Sequence, residues 1–201
     1  MRAGWAVVAG GALPLLLGAA LGSATTTASA DTWAAPMPPG AFLALSLGLA
    51  VSHLLVLLAY TSARRSTSGV ASAAALVGAV GTAALVACEV WSGTLARTPL
   101  HAPVLGALDA AYGVSSLAVL VGTLVLAVVL LRSRPRLPLA WPVLVNGLAL
   151  LVAIPLKFFT SDGVGVAALT VWSLTYVWWG LRMRKASRRH ALPEAMDART
   201  A

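Results

Sequence analysis

The sequence predicts an all-α, polytopic transmembrane bundle of six helices with both termini in the cytoplasm. Three observations carry that prediction. The chain is 59% hydrophobic and only 10% charged, with a mean hydropathy of +0.88, whereas a soluble domain carries about 25% charged residues. The apolar residues fall in long uncharged runs, and the basic residues crowd the connections on one side of those runs. Crossing roughly 30 Å of hydrocarbon takes about 20 apolar residues as a helix. Lipid offers the backbone no hydrogen bonds, so such runs form helices; barrel strands would be shorter and alternating.

Six spans are expected, at about 5–21, 40–60, 70–91, 104–131, 139–159 and 163–181. The first follows Arg2 and contains Pro14, which removes a backbone donor and bends the helix locally. Ala28-Ser29-Ala30 precedes Asp31, so this run also reads as a cleaved signal peptide, which would leave five spans. The second run closes before Arg64-Arg65. The third is rich in small residues. The spacings Ala74, Gly78, Thr82 and Ala79, Ala83, Ala87 let helix backbones approach closely, which places this helix in the middle of the bundle.

Pro103 suits the first turn of the fourth helix. At 28 residues that run is longer than a bilayer requires, so it tilts or begins at the interface. The turn Arg132-Ser133-Arg134-Pro135-Arg136 joins it to the fifth, in which Pro155 predicts a second bend. Asp162-Gly163 turns into the sixth. Residues 1–181 thus form one transmembrane domain, and 182–201 a basic cytoplasmic tail without fixed structure.

Orientation follows from Lys and Arg. A cytoplasmic N-terminus puts Arg2, Arg64, Arg65, Arg132, Arg134, Arg136, Arg182, Arg184, Lys185, Arg188, Arg189 and Arg199 on the inner side, leaving Arg97 and Lys157 outside. Aromatic residues agree. Trp33 and Trp91 mark outer boundaries, Trp5, Trp141, Trp178 and Trp179 mark inner ones, and Trp172 falls mid-helix as packing. The membrane is read as the cytoplasmic membrane of a bacterium.

A net charge of +8 raises nucleic acid as a partner. The basic residues sit in short turns and a tail, however, with no aromatic-interleaved basic domain. Anionic lipid headgroups are the expected partners, through Arg182, Arg184, Lys185, Arg188 and Arg189. A protein partner or a second copy is also open. The single cysteine, Cys88, excludes an intrachain disulfide and a cysteine metal cluster.

Polar groups at membrane depth are costly, so each is a site candidate. Glu89, Asp109, Tyr112 and Lys157 share the outer leaflet on three helices and form a candidate cluster, with Lys157 facing Glu89 or Asp109. The plain structural account is that the carboxylates reach headgroup water and Lys157 snorkels outward, with Asp109 favoured by its helix dipole. His53 and Asn146 are candidate intramembrane polar groups, each expected to hydrogen-bond a neighbouring helix. His101 lies in the outer loop, too far from His53 for shared axial ligation.

No zinc-protease, nucleophile-elbow or phosphate-loop motif is present, and no cofactor or metal is implied. Leu130-Leu131-Arg132, Arg136-Leu137-Pro138, Trp141 to Leu151 and Trp178-Trp179-Gly180-Leu181-Arg182-Met183-Arg184 resemble uncharacterised actinobacterial membrane proteins of about six helices, mainly over helices four to six. That resemblance implies no activity or site residue. Three function classes remain: a non-enzymatic component or modulator of a larger membrane assembly, a small carrier or channel using the outer cluster, and a membrane enzyme acting on lipid.

Overall fold

A computed structural model describes residues 2–21, 31–133, 139–159 and 162–197, with the side chains of 157–163, 166 and 187–197 outside that description. The described chain is all-helical. Its six helices are α1 (Arg2–Leu21), α2 (Pro39–Ser66), α3 (Gly69–Thr94), α4 (Pro103–Ser133), α5 (Ala140–Phe159) and α6 (Asp162–Asp197). The helices α1 to α4 are each long and apolar enough to cross a membrane, and α5 carries a shorter apolar stretch, Ala140–Leu156. The protein is a multi-pass membrane protein.

Local chemistry sets the helix ends. Proline opens α2 and α4, where the missing N–H has no intrahelical partner anyway. Only Thr67 and Ser68 separate α2 from α3, and Gly69 makes that reversal at φ +56°, a left-handed conformation that glycine adopts without a Cβ clash. Helix α2 runs six residues beyond its expected end, through Arg64 and Arg65. Helix α6 continues past Leu181 to Asp197, where the sequence reading began an unstructured tail. Arg, Lys, Met and Ala are good helix formers, and nothing before Pro193 breaks the helix.

The helices form a closed ring. Each packs against its neighbours in the chain, and α1 closes the circle against α6; among the described residues the one further contact is a small one between α2 and α6. No helix occupies the centre, so α3 is not the central helix its composition predicts. Its small residues instead make the tightest crossing in the ring. Gly122 of α4 comes against the Gly78 backbone, and a Cβ on Gly81 would lie 2.8 Å from both the Ser115 carbonyl oxygen and the Val119 nitrogen. Buried positions 71, 74, 75, 78, 79, 81, 82, 85, 88, 89, 92 and 93 give α3 two packed faces, one for each neighbour.

On the first helix, Pro14 leaves the Gly10 carbonyl without its usual donor four residues on. The Ser52 hydroxyl of α2 donates to that carbonyl at 2.7 Å. The up-down course gathers Arg2, Arg64, Arg65, Arg132, Arg182, Arg184 and Lys185 at one end of the ring, here called the basic end, and leaves Arg97 at the other. The 134–138 turn and the small-residue segment 22–30 lie outside the described residues.

Candidate functional site

Two groups of buried polar side chains link the helices inside the ring. The first joins α2, α4, α5 and α6. Tyr60 Oη lies 2.6 Å from Thr123 Oγ1 and 3.1 Å from Tyr176 Oη. Asn146 Nδ2 donates to Thr175 Oγ1 at 2.6 Å and also reaches the Tyr176 hydroxyl. All five residues are buried.

These protons can be arranged in one way. Thr123 Oγ1 is 2.6 Å from the Val119 carbonyl oxygen, which can only accept, so the Thr123 hydroxyl donates there. It therefore accepts from Tyr60. With its proton spent, Tyr60 accepts from Tyr176, and Tyr176 accepts from the Asn146 amide. Thr175 likewise donates to the Trp172 carbonyl at 2.6 Å and accepts from Asn146. The result is a one-directional chain from α5 through α6 and α2 to α4, in which each bond polarises the next.

Aromatic rings enclose the chain. Trp179 stacks on Tyr176 with centroids 5.9 Å apart and meets Tyr60 edge-on at 5.3 Å. Trp172 meets Tyr176 edge-on at 5.5 Å and lies 6.4 Å from the His53 ring. Trp179 thus belongs to the interior, 1% exposed, and not to the interfacial belt where the sequence placed it. Gly78 makes room for this arrangement, since a Cβ there would lie 2.5 Å from Tyr60 Cε1. Among the described residues three buried polar atoms are left without a protein partner: His53 Nδ1, Asn146 Oδ1 and Trp172 Nε1.

The second group lies toward the opposite end. The Trp33 indole N–H donates to Ser92 Oγ at 2.9 Å. Ser92 bonds the Tyr112 hydroxyl, and Tyr112 donates to the Glu89 carboxyl. Glu89 is 8% exposed. Cys88 packs beside it with Leu105 and Leu108, its Sγ 3.9 Å from Ser115 Oγ.

The segment before α2 straps this group down. Trp33 N donates to the Thr98 carbonyl, Ala34 N to that of Ala96, and Leu100 N to that of Asp31, at 2.9, 3.1 and 2.9 Å. Glu89 and Tyr112 of the expected outer cluster therefore meet. Asp109 is exposed on α4, and the Lys157 side chain lies outside the described residues.

The two groups are separate. Gly78 and Glu89 stand eleven positions apart on α3, as do Tyr112 and Thr123 on α4, which is about 16 Å of helix. Buried Leu85, Val119 and Leu120 lie in that interval, and the Thr82 and Ser115 hydroxyls within it are spent on the Gly78 and Ala111 carbonyls. Among the described residues no set of three His, Cys, Asp or Glu side chains converges to hold a metal.

Sequence reasoning missed Tyr60, Thr123, Ser92 and Trp33 as members of these networks. Tyr60 ends an apolar run and reads as a boundary residue, and an isolated Thr in a helix normally bonds its own backbone. Comparison with protein-family models, with curated proteins and with solved structures gave no match.

Proposed function

We propose that the protein is a non-enzymatic component of a larger assembly in a bacterial cytoplasmic membrane, both termini inside, and that it works by docking to membrane partners. Six-helix membrane proteins of the kind its last three helices resemble are the proposed relatives. One observation carries this reading: the ring's two buried polar groups stand about 16 Å apart along α3 and α4, with buried Leu85, Val119 and Leu120 between them. A carrier or channel needs polar contacts along its whole path. Here each network stays within its own end of the ring, as suits a scaffold held in one shape.

Cross-linking in native membranes, followed by purification of the tagged full-length chain, tests the reading. A partner recovered in fixed stoichiometry supports it. Recovery of the chain alone, together with solute flux in proteoliposomes, would replace it with the carrier reading. That second reading is favoured by the enclosed Glu89 carboxyl, and flux would then be lost in Glu89→Gln.

A further inference from the structure

At the basic end, α1 and α6 cross closely. A Cβ on Gly4 would lie 2.9 Å from the Gly180 carbonyl oxygen, and one on Gly180 would lie 2.6 Å from that of Gly4. Backbones this near let a long side chain reach over the neighbouring helix. Arg184, one turn beyond Gly180, does so. Its stem passes over Gly4, where a Cβ would meet Arg184 Cγ at 2.6 Å, and its guanidinium carbon stands 3.5 Å from the centre of the Trp5 ring. Arg182 lies beside Trp178, 5.9 Å from that ring's centre. Arg2 and Lys185 are exposed nearby on the same two helices.

Stacking occupies the flat face of a guanidinium and leaves its N–H edge free. That edge matches the paired oxygens of a phosphate. Because the stem and face of Arg184 are already held, less side-chain freedom remains to be lost on binding. No acidic side chain stands at this end among the described residues; Asp31, Glu89 and Asp109 lie toward the other end. The positive charge is therefore not neutralised by these groups. Trp5, 54% exposed, and Leu181, 44% exposed, offer apolar surface beside it, as an interfacial site requires.

We propose that this crossing is a binding site for an anionic phospholipid, its phosphate held on the free edge of Arg184 and flanked by Arg182, Arg2 and Lys185. The acyl chains then lie against Trp5 and Leu181. The site does not depend on which protein partner the ring docks.

The full-length chain, purified in detergent and reconstituted in phosphatidylcholine with or without phosphatidylglycerol, provides the test. Phosphatidylglycerol should raise the thermal midpoint, and native mass spectrometry should show it retained over phosphatidylcholine. Arg184→Gln should reduce that retention about five-fold. Arg184→Lys, which keeps the charge but loses the planar edge, should reduce it nearly as much, and Arg97→Gln at the opposite end should leave it unchanged. Should Arg184→Gln fail to fold, Arg182→Gln serves as the second variant, with a smaller reduction expected. Equal retention of the two lipids, or full retention in Arg184→Lys, would overturn the proposal. So would an equal midpoint shift produced in detergent by inorganic phosphate alone, which would identify a free-anion site.

Discussion

Tyr60 on α2 bonds Thr123 on α4 at 2.6 Å although those two helices do not pack against each other. The Tyr side chain crosses the interior over Gly78 and ties together two walls that share no backbone contact.

Removing the Tyr60 hydroxyl should therefore cost little and blocking its path should cost much. Tyr60→Phe is expected to destabilise by about 1 kcal/mol, the usual net value of a hydrogen bond, and a cycle with Thr123→Val should show most of that energy as coupling. Gly78→Ala should cost about 1–3 kcal/mol, because the added methyl overpacks against a ring that is already fixed. Denaturant titration in micelles would measure both. Equal effects of the two substitutions would show that the Gly78 gap is not what seats the ring.

Ser52 and Pro14 form a compensating pair across α1 and α2. Ser52→Ala should destabilise by about 0.6–1 kcal/mol, since the Gly10 carbonyl then has no donor within the membrane. In a Pro14→Ala background residue 14 regains its N–H, and the same Ser52→Ala should become nearly neutral. A four-corner stability cycle gives the answer, and additive losses would count against the pairing.

Cys88 reports on the strap. It is 4% exposed beneath the segment that Trp33 pins to Ser92. A membrane-permeant maleimide should label it slowly in the native chain. Trp33→Ala should quicken labelling about ten-fold, corresponding to a loss of about 1.4 kcal/mol in closing the strap. An unchanged rate would mean that other contacts hold the segment down.

Topology can be read with engineered thiols in a Cys88→Ala chain. The charge distribution predicts that Ser133→Cys is protected from an impermeant maleimide in intact cells, while Leu100→Cys is labelled. The reverse pattern would invert the proposed orientation. The intact mass of the purified chain should also retain residues 1–30, because Gly4, Val7, Gly10 and Gly11 are buried against α2 and α6. A mass lacking them would identify a cleaved leader.

The helices were legible because membrane depth writes itself into sequence as run length. Every expected span falls on a helix, and the largest differences lie at the ends of α2 and α6, where basic residues continue a helix that hydropathy alone would stop. The ring was not legible. Small residues on α3 announce close contact but not which helices make it, and the sixth helix closing on the first is a pairing at long sequence separation. The sites divide in the same way. Shared depth brought Glu89 and Tyr112 under suspicion together, and both lie beneath the strap, whereas Asp109, at the same depth, is exposed. Depth fixes height along a helix; rotation about its axis decides who meets whom, and one sequence carries that only weakly.

Because α1 rests on both α2 and α6, the face bearing Gly4, Val8 and Gly11 has no partner until α6 has been made. Until then the circle is an open arc whose two edges, α1 and the helix before α6, stand apart in the bilayer. Closing the circle is thus a lateral step between two helices far apart in the chain, available only once both are in the bilayer.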